Sequence, residues 1–277
     1  MAATALVPER AVRRRLVRVA EYQLRSAQVE DCAELIEEPV ILLENGQPKI
    51  VYLHLAGQED LSGLVGLLRK VRYDTTERTR GLLSTSRVFG YEPRKMMRKE
   101  YCSMTSLRLD APQAFGALQQ TAEIVERYYA ATNPVLYGQH RELARNKVRS
   151  EWRMSTVFTS GIVNFNNPLP YHFDRGNFAK VWSAMLVFKG AGVEGGELAV
   201  PEYDLRFALP DHSLFMFDGQ ALLHGVTPIR KTQADSYRLS VVYYSLRGMW
   251  QCLAPGAELA RIRKVRTQRE RKRGGLP

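Results

Sequence analysis

The sequence predicts an α+β protein in which a β-barrel-like core is buttressed by the helices that precede it. Three observations support this prediction: short β-rich runs after Trp152, helical periodicity between residues 112 and 152, and a hairpin pattern over residues 39–55. With 277 residues, the chain is long enough for one large catalytic domain with an extension, or for two small domains. Its hydrophobic fraction of 45% is that of an ordinary globular protein.

The first 80 residues predict two helices and one hairpin. Residues 9–28 have the pattern of a basic amphipathic helix. In residues 39–55, two apolar runs flank Asn45 and Gly46, a pair that accepts the positive φ angles of a tight turn. Residues 58–72 predict a second helix whose apolar face consists of Leu61, Leu64, Leu67 and Leu68.

A pair of helices is predicted next. Asp110 is the expected cap of a helix that has Pro112 in its first turn, where proline is tolerated. Apolar residues then recur at helical spacing: Phe115, Leu118, Ala122, Val125 and Tyr129. Asn133 and Pro134 end this helix, and a second, basic helix is expected to continue to about Trp152.

After Trp152 the sequence changes to short β-rich runs that are separated by clusters of Gly, Pro, Asn and Asp. The runs cover residues 155–165, 178–188, 196–200, 213–217 and 236–245. This alternation of strands and turns is typical of an all-β sandwich or barrel.

The net charge of +11 is concentrated at the C-terminus. From residue 258 onward, eight basic residues face two acidic ones, so this tail contributes +6 and the rest of the chain +5. Two interpretations remain open for such a tail: a solvated, disordered end, or an arm that binds the phosphates of a nucleic acid.

Other features bear on the cellular compartment. No apolar run is long enough to span a membrane, and the arginine-rich N-terminus lacks the apolar stretch of a secretory signal. Cys32, Cys102 and Cys252 are odd in number and far apart, so we expect neither a disulfide framework nor a CxxC metal site. The expected location is a reducing cytoplasm, with the protein in soluble form.

His172 and Asp174 form a His-x-Asp pair. Residues two apart on a strand point to the same face, so both side chains can reach one metal ion. The pair alone is weak evidence, because a hydrogen-bonded structural pair has the same spacing. His224 lies 52 residues further on, and Arg238 follows it by 14 residues on an apolar strand.

Two imidazoles and one carboxylate on one side of a metal leave coordination positions open, which suits non-haem iron(II). Arg238 is expected to pair with a buried carboxylate, because an unpaired charge on an apolar strand is costly. His212 is the rival of His224, but it follows a Pro-Asp turn and fits a surface or strand-entry position better. Arg230 and Arg247 are the rivals of Arg238; the first falls in a polar loop and the second ends its strand.

This pattern resembles that of the iron(II) and 2-oxoglutarate dependent dioxygenases with a double-stranded β-helix (jelly-roll) fold. The resemblance covers about residues 155–247 and includes the Gly-Gly-Glu-Leu turn at 195–198. It implies that His172, Asp174 and His224 are the iron ligands and that Arg238 binds 2-oxoglutarate. It also implies O2 as the oxidant, with succinate and carbon dioxide as co-products.

A narrower resemblance is to the TET/JBP family, which oxidises the 5-methyl group of 5-methylcytosine or thymine in nucleic acid. The segments at 86–102 and 166–177 are similar to those of small phage and bacterial members, and this match extends over about 84–250. The resemblance implies that Asn177, three residues after Asp174, contacts the base; the alternative is a turn residue that follows Gly176. The chain lacks the cysteine-rich zinc modules of the animal members.

Other aromatic and basic residues have two interpretations each. Phe173, Phe178, Trp182, Tyr243 and Tyr244 fit the core better than a base-stacking platform. The basic clusters, interpreted either as solvated faces or as a nucleic-acid groove, are Arg94, Lys95, Arg98 and Lys99, and then Arg141, Arg145, Lys147 and Arg149.

The predicted organisation is an N-terminal extension over residues 1–83, a dioxygenase domain over 84–255 and a basic tail over 256–277. The predicted function is hydroxylation of 5-methylcytosine in DNA to 5-hydroxymethylcytosine, on a base that has been flipped out of the duplex. The alternatives are a thymine hydroxylase that gives 5-hydroxymethyluracil, a protein hydroxylase of the prolyl type, and a jelly-roll binding module without activity. DNA is the one expected partner; no membrane and no obligate protein partner are implied.

Overall fold

A computed structural model describes residues 7–23, 25–78, 82–94 and 100–274, and the basic residues Lys95, Arg98 and Lys99 therefore lie outside the described part. In chain order, the strands are β1 (Glu9–Ala11), β2 (Glu34–Ile36), β3 (Val40–Glu44), β4 (Gln47–His54), β5 (Asp74–Arg78), β6 (Leu82–Glu92), β7 (Ser103–Met104), β8 (Ser160–Phe165), β9 (Leu169–His172), β10 (Ser183–Lys189), β11 (Val193–Gly195), β12 (Leu198–Val200), β13 (Leu205–Phe207), β14 (Ser213–Phe217), β15 (His224–Val226), β16 (Ile229–Lys231) and β17 (Arg238–Tyr244). The α-helices are α1 (Val19–Tyr22), α2 (Ser62–Leu68), α3 (Leu107–Asp110), α4 (Pro112–Thr132), α5 (Pro134–Lys147) and α6 (Pro255–Arg273).

Two sheets face each other and confirm the predicted α+β architecture. The larger sheet has the strand order β1-β3-β4-β14-β10-β17-β8-β6-β5, with β7 paired to β6. The smaller sheet has the order β2-β13-β12-β15-β9, and β11 pairs with β16 apart from both. The β-rich runs predicted after Trp152 correspond to β8, β10, β12, β14 and β17.

Apolar residues of the central strands alternate between two hydrophobic cores. On β14, Phe215 and Phe217 point into the core between the two sheets, while Leu214 and Met216 point to the core under the helices. Strand β10 alternates in the same way. Because both faces of these strands are covered, their sequences are nearly continuous apolar runs rather than alternating ones.

Helices α2 and α4 cover the outer face of the larger sheet. The predicted apolar stripe of α4 is confirmed, since Phe115, Leu118, Ala122, Val125 and Tyr129 are all buried there. The hydroxyl of Tyr243, on β17, donates to the carbonyl of Leu118 over 3.0 Å. This contact joins α4 to the strand that carries Arg238.

The predicted hairpin is confirmed, and it belongs to the core sheet. Asn45 and Gly46 have φ angles of 53° and 73°, so both occupy the left-handed region that the tight turn between β3 and β4 requires. Strand β4 then pairs antiparallel with β14, and β2 pairs parallel with β13. The N-terminal part of the chain therefore supplies strands to both sheets.

The predicted helix over residues 9–28 is wrong. Strand β1 pairs parallel with β3, and only the single turn α1 is helical in this stretch. Two arginines of this segment form ion pairs with acidic residues elsewhere in the chain: Arg10 with Glu34 at 2.5 Å, and Arg15 with Asp204 at 2.9 Å. Edge pairing and these ion pairs outweigh the local helical propensity, which is a weak preference.

The predicted boundaries of the α4–α5 pair need two corrections. Asp110 does not cap α4, because it ends α3 and its carboxylate binds Arg87; the residue before Pro112 is Ala111. Helix α5 ends at Lys147, and residues Ser150–Trp152 form a separate 3₁₀ turn. Asn133 does have a capping role, since its side chain accepts from the N–H of Leu136 over 3.2 Å.

The expectation that the cysteines form no disulfide framework needs a correction, because Cys102 and Cys252 form a disulfide. The two lie 150 residues apart in sequence, and only the fold brings the segment after β6 against the turn before α6. Cys32 is free and buried.

The basic tail is helical in its described part. Helix α6 is anchored by Glu258, which is 1% exposed and accepts from the N–H groups of Leu253 at 2.8 Å and Cys102 at 3.2 Å, as well as from Arg94. The alternative of a disordered end is therefore wrong for residues 258–273. Among the described residues, no helix has the length and apolar character needed to cross a membrane.

Candidate metal centre and co-substrate pocket

The pairing of β9 with β15 places two histidines opposite each other. His172 is the last residue of β9 and His224 the first of β15, and the antiparallel register joins them directly. Their ring centroids are 4.3 Å apart. Sheet geometry thus brings together two side chains that are 52 residues apart in sequence.

Asp174 lies in the loop after β9, two residues beyond His172. Its backbone N–H donates to the carbonyl oxygen of Gly219 over 2.8 Å. A Cβ atom at position 219 would lie 2.4 Å from the Oδ2 atom of Asp174, so only glycine leaves room for this carboxylate. The loop after β14 therefore fixes the position of Asp174.

The three predicted ligands come together in space. One ligand atom from each of His172, Asp174 and His224 lies within 4.8 Å of the other two. The distances from Asp174 Oδ1 to the Nε2 atoms of His172 and His224 are 3.7 Å and 3.8 Å, longer than a hydrogen bond. The imidazoles therefore do not donate to the carboxylate.

The backbone sets the tautomer of both imidazoles. The Nδ1 atom of His172 lies 2.8 Å from the carbonyl of Pro170, and that of His224 lies 3.0 Å from the carbonyl of Leu222. A proton on each Nδ1 satisfies these carbonyls and leaves both Nε2 lone pairs for a metal. Burial and the neighbouring His172 lower the pKa of His224 to about 4, so His224 is neutral at physiological pH.

Arg238 is buried and lacks an anionic partner within the described structure. The side chain is 1% exposed, and its Nε and Nη2 atoms have no hydrogen-bond acceptor among the described residues. Burial lowers the pKa of Arg238 to about 10, and this guanidinium still carries its charge at physiological pH. An unpaired buried charge is costly, so the site fits an anionic group that the protein itself does not supply.

A cavity of about 280 Å³ adjoins the three predicted ligands, and Arg238 is not among its lining residues. It is lined by Ile162, Asn164, Leu169, His172, Asp174, Arg175, Asn177, Ser183, Ala184, Met185, Leu198, Phe217, His224, Val226, Ser240, Val242, Tyr244 and Leu246. Ser240 and Val242 follow Arg238 at spacings of two on β17, so all three project from the same face of the sheet. The cavity wall thus leads from the three ligand residues toward Arg238.

Asn177 lines this cavity and is nearly buried. Its Nδ2 atom donates to Asp174 Oδ2 at 3.4 Å and to Ser183 Oγ at 3.2 Å. The side chain therefore borders the carboxylate of Asp174, and its predicted contact with a base stays a prediction. It is more than a turn residue, because its backbone bridges to Leu246.

The rival residues occupy other places. His212 enters β14, pairs with Asp211 at 2.9 Å and is not part of the ligand group. Arg230 and Arg247 are exposed, and Arg230 pairs with Glu194. The roles of His172, Asp174, His224 and Arg238 remain predictions, but none of these rivals has the required juxtaposition or burial.

The core interpretation holds for most of the aromatic residues. Phe178, Trp182 and Tyr243 are buried in the core under the helices. Tyr244 differs, because it lines the cavity.

Several residues of this site are not evident from the sequence. Gly219 has no sequence pattern that reveals its contact with Asp174. Ser240 could have been found from its spacing of two to Arg238 on a predicted strand, and Asn164 pairs with Ser240 across β8 and β17. Arg175 follows Asp174 directly, but its position in a loop gives no periodicity that would point it into a cavity.

The chain is similar to oxygenases of known families. Residues 86–247 match the family model Tet_JBP, described as the oxygenase domain of the 2OGFeDO superfamily. Over 172 residues, or 61% of the chain, it is 27% identical to the bifunctional helicase and thymine dioxygenase JBP2 of Trypanosoma brucei brucei. Over 111 residues, or 40% of the chain, it is 32% identical to JBP2 of Trypanosoma cruzi. These matches span only 15% and 10% of the length of the two relatives.

The fold is similar to that of a solved structure. NgTET1 in complex with 5mC DNA superposes with a TM-score of 0.53 at 13% identity, covering 79% of this chain and 84% of that one. This similarity confirms the predicted jelly-roll core.

Proposed function

The chain belongs to the Tet_JBP family of the 2OGFeDO oxygenase superfamily, and we propose that it hydroxylates the 5-methyl group of a pyrimidine base in DNA. The favoured reaction converts 5-methylcytosine to 5-hydroxymethylcytosine. One oxygen atom of O2 enters the methyl C–H bond, while the other enters succinate as 2-oxoglutarate loses carbon dioxide. Substrates and products balance without a further reductant.

The observation that supports this proposal most strongly is the geometry of the metal centre. His172, Asp174 and His224 offer two imidazole nitrogens and one carboxylate oxygen within 4.8 Å of one another, at the wall of a cavity that leads toward a buried arginine without an anionic partner among the described residues. This donor set fits iron(II), and the guanidinium of Arg238 fits the remote carboxylate of 2-oxoglutarate. When bound there, iron and 2-oxoglutarate would supply the oxidising chemistry.

The protein residues position the reactants and exclude water. The carbonyls of Pro170 and Leu222 hold the two imidazoles with their Nε2 atoms toward the cavity. Apolar side chains line much of the remaining wall, among them Leu169, Met185, Leu198, Phe217, Val226 and Val242. Such a dry, preorganised site favours reaction at one C–H bond over loss of the oxidant to solvent.

Two features support DNA as the substrate. The first is that the relatives in trypanosomes are named as thymine dioxygenases. The second is the size of the cavity, because a methyl group on a pyrimidine can reach an enclosed site only when the base is flipped out of the duplex. The cavity of about 280 Å³ is near the small end of ligand pockets, roughly 300–1,000 Å³. It accommodates a small co-substrate and a single ring better than a polypeptide segment.

Helix α6 is the proposed phosphate-binding arm. Its basic side chains beyond Ile262 are exposed, while Glu258 and Ile262 fix its first turns to the protein. Lysines and arginines held on a docked helix bind phosphates without the entropic cost of ordering a flexible tail. Because positive charge is concentrated on this helix, we expect the affinity for DNA to fall steeply as the salt concentration rises.

The choice between the two methylpyrimidines is the second part of the proposal. Asn177 lies beside Asp174 and can present an amide to the edge of a flipped base, which is the reason for favouring 5-methylcytosine. The names of the trypanosomal relatives favour thymine, the second candidate substrate.

One experiment distinguishes these candidates. Two DNA duplexes are used: one contains 5-methylcytosine, and the other contains thymine as its only 5-methylpyrimidine. Each is incubated with the protein, iron(II), ascorbate and 2-oxoglutarate, and the nucleosides are then analysed by mass spectrometry. We expect 5-hydroxymethylcytosine from the first duplex, and only when 2-oxoglutarate is present. Formation of 5-hydroxymethyluracil instead would replace 5-methylcytosine by thymine, and unchanged DNA in both reactions would refute the proposed substrate class.

A further inference from the structure

Lys189 is a half-buried cation next to Arg238. The two residues are direct partners in the antiparallel register of β10 and β17. Side chains at such positions have Cβ atoms roughly 4.5–5.5 Å apart, and like charges there repel each other. The Nζ atom of Lys189 donates to the carbonyls of Gly195 at 2.9 Å and Ala208 at 3.1 Å, which holds the ammonium inside the protein.

The charges around this pair do not balance among the described residues. The carboxylate of Glu197 acts electrostatically on Lys189, and its Oε2 atom already lies 2.9 Å from Nε of Arg206. Arg238 has no carboxylate partner in the part of the chain that the structure describes. Among the described residues, Glu197 thus offsets the charges of Lys189 and Arg206, while the charge of Arg238 is not offset. An excess of positive charge of this kind is costly away from water unless a ligand compensates it.

Lys189 and Arg238 lie on the two strands that also line the cavity beside the predicted metal ligands, although neither residue is itself part of the cavity wall. On β17, Arg238 precedes Ser240 and Val242 on one face, and on β10 Lys189 shares its face with Met185. Asn164, opposite Ser240 on β8, has an Oδ1 atom without a hydrogen-bond partner among the described residues. The cavity wall therefore extends from the predicted metal ligands to the polar residues Asn164 and Ser240, and Ser240 is two residues from Arg238 on the same face of the sheet.

We propose that Lys189 supplies, beside Arg238, the second positive charge of the subsite that takes the remote carboxylate of 2-oxoglutarate, an inference that rests on the proposed function. Repulsion between the two cations is relieved when the carboxylate binds. The subsite then selects a dicarboxylate over a keto acid without the remote charge more strongly than one arginine does alone.

The ionisation of Lys189 gives this subsite a measurable signature. Burial and the charge of Arg238 lower the pKa of Lys189 to about 8, while the charge of Glu197 acts in the opposite direction. A further carboxylate, that of Asp211, accepts the backbone N–H of Lys189. A bound carboxylate favours the ammonium form and raises this pKa again. Above a pH of about 8, binding of 2-oxoglutarate is therefore expected to take up protons.

The test uses the full chain loaded with Mn(II) in place of iron, and anaerobic calorimetric titration with 2-oxoglutarate. Lys189→Gln keeps two N–H donors for the carbonyls of Gly195 and Ala208 but removes the charge, whereas Lys189→Met removes both. Lys231→Gln, at an exposed position on β16, is the matched control. Thermal unfolding and Mn(II) affinity are measured for every variant to verify the fold and the metal site.

We expect both Lys189 variants to bind 2-oxoglutarate at least about tenfold more weakly than the wild type and the control. At a pH of about 8.5, half a unit above the pKa of Lys189, titrations in two buffers of different ionisation enthalpy should show proton uptake by the wild type and less by Lys189→Gln. Wild-type affinity in Lys189→Gln would overturn the proposal, and if only Lys189→Met were weakened, the lysine would serve only to hold the two carbonyls. No DNA is present, so the result is independent of whether the methylpyrimidine substrate is correct.

Discussion

The backbone N–H of Asp174 donates to the carbonyl oxygen of Gly219 over 2.8 Å, and the Asp174 carboxylate occupies the space where a side chain at position 219 would begin. This contact joins the loop after β9 to the loop after β14. It is the means by which a carboxylate outside the sheet keeps a fixed position relative to the two histidines on paired strands.

Gly219→Ala is expected to weaken iron(II) binding by at least about tenfold, because the new Cβ atom would displace the Asp174 carboxylate. Metal affinity measured by titration checks this. Gly116→Ala is the control, since that helical glycine has no atom within 4 Å of the added Cβ and the change should leave metal affinity unaltered. Equal affinities in all three proteins would mean that the loop adjusts and that Gly219 does not position Asp174.

Arg238→Met is expected to raise the concentration of 2-oxoglutarate required for half-maximal turnover by about 100-fold or more. The fold should be at least as stable as the wild type without co-substrate, because methionine removes a buried charge that lacks a partner in the described structure. Steady-state kinetics and thermal unfolding test the two statements separately. The control is Arg230→Met, which removes an exposed ion pair and should change neither the 2-oxoglutarate concentration for half-maximal turnover nor the thermal stability. If Arg238→Met needs no more 2-oxoglutarate than the wild type, Arg238 does not belong to the co-substrate site.

Replacing four exposed basic residues of α6 by glutamine is expected to weaken DNA binding and to flatten its salt dependence. The residues are Arg263, Lys264, Arg266 and Arg271. The slope of log K against log salt should become shallower by about 0.9 for each phosphate that the variant no longer neutralises. The control changes four exposed basic residues elsewhere, Arg13, Arg18, Arg230 and Lys231. If both quadruple variants have the same slope, α6 is not the arm that contacts phosphates.

Reduction of the Cys102–Cys252 disulfide is expected to lower the free energy of unfolding by about 2–4 kcal/mol, because the bond links residues 150 positions apart and so constrains the unfolded chain. Denaturant unfolding with and without a reductant measures the difference. Cys252→Ser should unfold like the reduced wild type and should not respond to the reductant. A wild-type protein whose stability is insensitive to reduction would show that the two thiols are not joined in solution.

Local patterns predicted the elements that depend on local chemistry. The hairpin around Asn45 and Gly46, the apolar stripe of α4 and the strands after Trp152 all follow from turn preferences and periodicity. The proximity of His172 and His224 could be predicted for a different reason. The spacing of the predicted ligands resembles that of a known fold, and the known fold indicates which distant residues come together.

The failures concern long-range pairing. The basic pattern at residues 9–28 resembles a helix, but Arg15 binds Asp204 and β1 adds to the edge of the larger sheet. Cys102 and Cys252 gave no local indication of their disulfide, since their contact depends on how α6 docks. Lys189 and Arg238 are opposed only because of the register of β10 and β17, which no spacing in the sequence reveals.

The site formed by His172, Asp174 and His224 is proposed to oxidise a methyl group of DNA at the expense of 2-oxoglutarate. A reaction under ¹⁸O2 with methylated DNA tests this directly, when succinate, oxidised nucleoside and its isotopic mass are quantified for the wild type and for Asp174→Ala. We expect one succinate for each hydroxymethyl group, ¹⁸O in that group, and neither product with Asp174→Ala, which should keep its fold but lose iron. Hydroxymethyl groups formed by iron-free Asp174→Ala, or succinate formed by the wild type without any change in the DNA, would refute the proposed reaction.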